Sequence, residues 1–341
     1  MFLAKRKMMS FRNLSVVVPV YNAESYILDI LKILIRIPNI SVILVDDGSS
    51  DSTMLIAENF IKEKKLAMWK IVKSDHKGVS NARNIGISKV GTKYVMFVDS
   101  DDSLDVESFL RLENYLCDDF DFLSAGIVHS DEFLNNVSRN HKKALILNMI
   151  GVKSDFKMNS NNRLSCPGPY SKIFSVDLLL RNEICFPENV QHGEDIIFNA
   201  LVIKHMENVL FSSESIYLYR ENMDSVSKAI KYDVVTNHKN FTINIMNICD
   251  YGLGLTPREK KTIELMCKIN DNTTLILQND HSKLMPLRLS GIGWPLVPFN
   301  KKVQIILLRL GCKKVIKKLV MFNRNIRVKP QEIAGDRVQR Y

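Results

Sequence analysis

The chain has 341 residues, 46% hydrophobic and 25% charged, a composition that supports a sizeable core and excludes global disorder. Its net charge of +10 is local. Residues 299–329 carry ten Lys or Arg and no Asp or Glu, so the rest of the chain sums to zero and the basic character belongs to a tail. Six cysteines (Cys117, Cys166, Cys185, Cys249, Cys267 and Cys312) show no CxxC spacing, which argues against a zinc site or disulfide framework and suits a reducing compartment.

The basic stretch 1–12 leads into an apolar run interrupted by Pro19, which reads as a strand and not as a secretory signal. No run reaches the ~18 uninterrupted apolar residues of a membrane span. Residues 15–20 (SVVVPV) are continuously apolar, as a buried parallel strand requires. Residues 24–35 repeat apolar side chains at helical spacing. A second strand, 40–45, ends at Asp46, Asp47, Gly48 and Ser49, and Asp51 or Ser52 can cap a helix running to about Glu63. A third strand covers 68–72, a helix 79–90, a fourth strand 94–98 ending at Asp99, Ser100, Asp101 and Asp102, and a fifth 120–128. This alternation predicts an α/β fold: an open, mostly parallel sheet with helices on both faces. Ligands of such sheets collect beyond the carboxyl ends of the strands, where the polar motifs fall. The pattern weakens over 131–165; 193–205 reads as a helix, 209–219 as one or two strands, and the chain beyond 227 as a helical extension that becomes basic.

Three carboxylates within four residues, Asp99, Asp101 and Asp102, repel one another unless a cation neutralises them. Mg²⁺ or Mn²⁺ binds oxygen ligands, commonly one or two carboxylates completed by substrate phosphates. Taken alone, the cluster is equally a solvated turn. Asp46 and Asp47 can accept from a base N–H or a ribose hydroxyl, and can equally end a strand in a turn with Gly48 at positive φ. Gly78 opens a helix whose start favours anions, and Arg83 could face a phosphate or support the acidic cluster from below. Glu194 and Asp195 follow Gly193 at a helix start; a carboxylate there can serve as a base or simply cap the helix. His76 and His192 flank these motifs, in positions where a histidine is more often structural than catalytic.

The order of these motifs is more specific than any one of them. Val18, Pro19, Val20, Tyr21 and Asn22; then the run from Val45, Asp46, Asp47, Gly48 to Thr53; then Gly78, Val79, Ser80, Asn81, Ala82, Arg83 and Asn84; then Asp99, Ser100, Asp101 and Asp102; then Gly193, Glu194 and Asp195 resemble the family 2 glycosyltransferases of GT-A fold, of the bacterial polysaccharide type. The resemblance covers about residues 14–226, including Lys172, Ile173, Phe174 and the stretch from Tyr219 and Arg220 to Ser225, Val226 and Ser227. It implies a Rossmann-like GT-A domain over 1–226 and inverting, metal-dependent transfer of a sugar from a nucleotide donor, UDP-linked by family habit, with Mn²⁺ or Mg²⁺ as cofactor. By position, Pro19, Tyr21 and Asn22 would border the nucleotide with Glu24 nearby. Asp46 or Asp47 would hold the base. Gly78 and Arg83 would lie at the donor site. Asp99, with Ser100, would approach the ribose and share a metal with Asp101 in the family's DXD motif. Asp195, with Glu194, would supply the general base of the ED motif. His76 stands where members often carry Asn.

In the extension, 227–341, the segment of about 296–324 is amphipathic. Val315, Ile316, Leu319 and Val320 share one helical face, with Lys313, Lys314, Lys317 and Lys318 ~200° away. Val303, Ile306, Leu307 and Leu310 form an upstream stripe, separated by Gly311 and preceded by Trp294 and Phe299. This suits a membrane surface; the alternative is a helix packed on the domain with its lysines in water. Nucleic acid is disfavoured, because no aromatic residues interleave the basic ones. The expected setting is cytoplasmic, peripheral on the inner face of the plasma membrane, with a growing, lipid-linked glycan as acceptor in cell-surface polysaccharide synthesis. A nucleotidyltransferase would show a Gly-rich phosphate loop with Lys or Arg where Tyr21, Asn22, Ala23 and Glu24 stand, and a non-catalytic glycan- or partner-binding relative would be expected to lose Asp101 or Asp195.

Overall fold

The computed structural model describes residues 10–126, 131–156, 168–220, 232–327, 331–333 and 336–340. The Ser225, Val226 and Ser227 motif lies outside them. Eight strands form one sheet. β1 (Leu14–Val20), β2 (Ser41–Asp46), β3 (Trp69–Lys73) and β4 (Tyr94–Phe97) are parallel in the order β3-β2-β1-β4. Beyond β4 lie β8 (Lys172–Ser175), β6 (Phe122–Ala125), β9 (Val209–Ser212) and β7 (Glu132–Leu134); β8 runs antiparallel to both its neighbours, and β6 and β9 are parallel.

Alternate residues of one strand enter different cores. Val17, Ile43, Val45, Val95 and Phe97 face one cluster, while Val16, Val18, Val42, Leu44 and Met96 face the other. A sheet covered on both faces buries both sides of each strand, which is why β1 reads as an unbroken apolar run. Helices α1 (Ile27–Leu34), α2 (Thr53–Glu63) and α4 (Val106–Arg111) cover the second face. The first is covered by α3 (Val79–Lys89), α5 (Arg139–Met149), α6 (Val176–Arg181) and α7 (Glu194–His205). The long helices α8 (Val234–Leu253) and α9 (Pro257–Leu277) contribute Ile245, Ile248, Ile263 and Met266 to that same core.

Residue 51, and not 52, caps α2: the Asp51 carboxylate accepts from the Thr53 backbone N–H, while Ser52 makes no side-chain cap bond. α3 lies hard against β1 because residue 86 is glycine; a Cβ there would sit 2.3 Å from Cγ1 of Val17.

Two late helices, α10 (Phe299–Arg309) and α11 (Lys313–Arg327), pack on α9. Of the expected downstream face, Ile316 is buried while Val315 and Leu319 remain exposed; of the upstream stripe, Ile306 and Leu310 are exposed, and it is Ile305, outside that stripe, that is buried. No helix among the described residues is long and apolar enough to cross a membrane. An unforeseen hairpin, β11 (Gln331–Ile333) and β12 (Asp336–Arg340), joins a small second sheet with β10 (Tyr217–Arg220) and β5 (Ser103–Leu104).

Candidate active site

The polar motifs converge at the carboxyl ends of β1, β2 and β4, as an open α/β sheet requires. Arg83, one turn into α3, is the centre of the arrangement. Its side chain is 4% exposed, and its guanidinium bridges three carboxylates. Nη2 donates to Asp99 Oδ1 at 2.9 Å, Nη1 donates to Asp195 Oδ1 at 2.9 Å, and Glu194 Oε1 lies 3.6 Å from Nη1. The Phe186 ring centroid is 5.2 Å from the guanidinium carbon, and Phe186 stacks in turn on Phe198, so the cation rests on an apolar floor. Burial would weaken the charged form of Arg83, but Asp195, Asp99 and Glu194 more than offset it and hold the guanidinium firmly protonated.

One cation faces three carboxylates. Burial is the main cause that pushes Asp195 up to about 7, with Glu194 and Asp99 adding to the rise and Arg83 opposing it. Glu194 is raised by burial too, against Arg83. Asp195 therefore sits in the range where a carboxylate exchanges protons near neutral pH.

Of the acidic turn after β4, Asp102 turns inward. Its Oδ2 accepts from the Tyr217 hydroxyl at 2.6 Å and its Oδ1 from the Arg220 backbone N–H at 3.0 Å. The Tyr217 oxygen also accepts from the Asp99 backbone N–H at 3.2 Å. Burial, and then the nearby Asp99 and Asp101, push Asp102 up to about 8. Ser100 and Asp101 are half-buried beside it.

The β2 end makes the other wall. Asp46 Oδ1 accepts from the Ser49 N–H at 2.8 Å, closing the turn through Gly48. Asp47 is a cross-link: Oδ1 accepts from the Lys77 N–H and Oδ2 from the Gly78 N–H, each at 2.9 Å, which ties β2 to the start of α3. Asn22 and Glu24 knit the β1 loop to the same turn, Asn22 Oδ1 accepting from the Ser50 N–H and Glu24 Oε2 from the Ser52 N–H. Pro19 lies buried within β1. Tyr21 is half exposed and stacks on His76, with centroids 4.3 Å apart and rings 24° from parallel. Residue 76 has φ of 53°, a left-handed conformation in which Asn and His are enriched, so the two are physically interchangeable there.

Gly193 has φ of 92°, and a Cβ on it would lie 2.8 Å from the Phe241 ring of α8. Asn237 of α8 holds the preceding loop: its Oδ1 accepts from the N–H groups of Gln191 and His192, and its Nδ2 donates to the His192 carbonyl. The His192 ring is exposed and stacks on Tyr232. Sequence reading does not single out Tyr217 or Asn237: Tyr217 shares a four-residue strand with Tyr219 and Arg220, and Asn237 stands among Thr236, His238, Lys239 and Asn240, so nothing local marks either one. Nor does it mark Lys172 as a buried cation: that residue is fully enclosed and donates to the Gly168 carbonyl at 2.6 Å.

A doubly covered α/β sheet carries at its strand ends an acidic cluster bridged by one buried arginine, the position at which open α/β sheets collect ligands. Residues 15–178 match the model of Glycosyl transferase family 2. The Bacillus subtilis glycosyltransferase EpsJ is 28% identical over 246 residues, 70% of this chain and 71% of the relative. The Staphylococcus aureus poly(ribitol-phosphate) beta-N-acetylglucosaminyltransferase TarS is 28% identical over 209 residues, 60% of this chain; the match spans 35% of that longer protein. A crystal structure of TarS 1-349 in complex with UDP-GlcNAc shares the fold, at 20% identity and a TM-score of 0.60 over 96% of each chain. The matched segment is a glycosyltransferase family 2 domain, and the chain is a glycosyltransferase with the GT-A fold.

Proposed function

We propose that the chain moves a sugar from a UDP-linked donor to a hydroxyl of a cell-surface polymer, with inversion at the anomeric carbon. The observation that carries this reading is the Arg83 bridge, which brings the acidic turn after β4 and the start of α7 into one site. The acceptor hydroxyl gives its proton to Asp195. Its oxygen attacks the anomeric carbon, and the bond to the donor's diphosphate oxygen breaks, so the nucleoside diphosphate leaves with the electron pair. Glu194 and Arg83 orient Asp195. Tyr21 and the exposed His76 ring offer a stacking edge for the base, with Asp46 and Asp47 behind it. The UDP assignment draws on the TarS complex, and the polymer acceptor on the printed activity of TarS.

Asp99 and Asp101 suit a hard divalent cation. No three His, Cys, Asp or Glu converge on a metal position among the described residues, so the set they offer is two carboxylates completed by donor phosphates. Burial raises Asp102 first, and the nearby Asp99 and Asp101 add a like-charge repulsion that a cation would relieve. When bound, Mg²⁺ or Mn²⁺ would neutralise the departing diphosphate. The basic extension would hold the enzyme at the cytoplasmic face of the membrane, where a lipid-linked acceptor is within reach.

Purified protein incubated with Mn²⁺ or Mg²⁺ and a panel of UDP-, GDP- and dTDP-sugars tests the reading. Nucleotide release from one donor, abolished by EDTA, by Asp101→Ala and by Asp195→Asn, is the expected result. Folded protein with metal that binds no nucleotide sugar in calorimetry sinks it.

A further inference from the structure

We infer that α10 and α11 form a built docking surface for an anionic lipid bilayer, with named residues entering the interface; this deepens the membrane reading above and rests on it. Seven of the 17 exposed large hydrophobic side chains among the described residues lie between 294 and 321: Trp294, Phe299, Ile306, Leu310, Val315, Leu319 and Met321. The concentration is far above scatter, and scattered single exposures would need no explanation.

Their arrangement follows helix geometry. At 100° per residue, Phe299, Val303, Ile306 and Leu310 fall within an arc of about 60° on α10. Ile305, which is buried, lies on a different face, so α10 is fastened to the body by one side and leaves the stripe to solvent. Phe299 is 78% exposed and Leu310 70%. The Lys301 ammonium on the fastened side donates to Asn270 of α9 at 2.7 Å. α11 repeats the plan. Ile316 is buried and Lys317 donates to Asn279 at 3.0 Å, whereas Val315 and Leu319 are exposed beside the exposed Lys314 and Lys318. Packing on the domain and exposure of an apolar stripe are thus both satisfied, by different faces of the same helices.

Charge selects the occupant. The span 299–329 has ten Lys or Arg and no acidic residue. An apolar stripe on a segment whose only charged residues are cations complements a surface that is apolar inside and anionic outside, which describes an anionic bilayer. A second copy of the same face would set cations against cations.

The test is vesicle co-flotation of the full chain. Binding is expected to vesicles of phosphatidylglycerol mixed with phosphatidylcholine, little to phosphatidylcholine alone, and less as salt rises. The triple variant Phe299→Ser, Ile306→Ser, Leu310→Ser should lose at least tenfold in binding. Lys314→Glu with Lys318→Glu should lose at least about fivefold per lysine. All these side chains are solvent-facing or half-buried, so thermal unfolding and nucleotide release without vesicles should match the parent. Equal flotation of parent and variants overturns the proposal, as does binding indifferent to lipid charge. A parent dimer that the triple variant splits, with flotation unchanged, also overturns it in favour of self-association. Nucleotide release separates the two readings: release without flotation sinks the lipid surface alone, and flotation without release sinks the transfer reaction while supporting the surface.

Discussion

Arg83 Nη1 meets Asp195 Oδ1 at 2.9 Å across 112 residues of chain, while Nη2 of the same guanidinium holds Asp99 at 2.9 Å. One buried side chain therefore ties the acidic turn after β4 to the start of α7. Its planar fork suits the task, since two nitrogens can address two carboxylates in fixed directions. Arg83→Met should cost about 3–5 kcal/mol of stability, because three carboxylates lose their shared cation in a largely buried site. Arg83→Lys keeps the charge without the fork, so it should recover part of the stability and little of the turnover. Urea denaturation beside nucleotide release measures both; equal activity in Arg83→Lys would remove geometry from the explanation.

The pH dependence follows from Asp195. Burial raises its carboxyl to about 7, so the ionised form that the proposed base role requires is lost as pH falls through that region. Turnover should climb along an acid limb centred near 7, and Asp195→Asn should lower it by roughly 10²–10⁴-fold with donor binding retained. Stability moves the other way. The folded pKa lies above the unfolded one, the folded state binds the proton more tightly, and stability therefore falls as pH rises from about 4 to about 7. Rate profiles and denaturation midpoints over pH 5–9 check the pair of slopes, and an acid limb unmoved from the ordinary carboxylate range would remove Asp195 as the base.

The parallel half of the sheet was legible because a strand buried on both faces is apolar along its middle, as residues 16–20 of β1 and 42–45 of β2 are. The motif turns were legible because strand ends concentrate Asp and Gly. The mixed half was not: β7 is three half-exposed or exposed residues, and β8 is a four-residue strand whose first residue is a lysine buried only by its tertiary setting. Arg83 was placed between two roles by sequence; only the fold shows that it supports the acidic cluster, since its partners lie 16 and 112 residues away. The amphipathic tail was visible as a pattern, but which apolar residues face the body depends on α9, and no periodicity encodes that choice.

Tyr217 offers a test of the acidic turn. Its hydroxyl donates to Asp102 at 2.6 Å and accepts from the Asp99 N–H at 3.2 Å, joining two members of the cluster through one oxygen. Tyr217→Phe keeps the ring and its packing on Tyr170, 5.1 Å away between centroids. It leaves a buried carboxyl short of a donor, which costs about 1–3 kcal/mol. Because the Asp99 backbone also loses its anchor, nucleotide affinity measured by calorimetry should weaken together with stability. A stability loss with unchanged affinity would confine Tyr217 to the fold.

Gly193 connects the first turn of α7, which carries the proposed base, to the C-terminal helices. Its φ of 92° is one that a side chain resists, and the space a Cβ would fill is taken by the Phe241 ring at 2.8 Å. Gly193→Ala therefore meets two obstacles, backbone strain of about 1–3 kcal/mol and an aromatic contact on α8. Relief by either route shifts the first turn of α7, which carries Glu194 and Asp195. Misplacing a base by an ångström can cost about 10²-fold in rate, so turnover should fall further than the stability loss alone explains. Gly193→Ala combined with Phe241→Leu separates the causes. The smaller side chain gives room to the Cβ but does nothing for φ, so the double variant should regain the part of the turnover due to the contact and keep the part due to strain. Nucleotide release at saturating donor, normalised to folded protein by circular dichroism, is the readout; a double variant no better than the single one would assign the whole effect to the backbone.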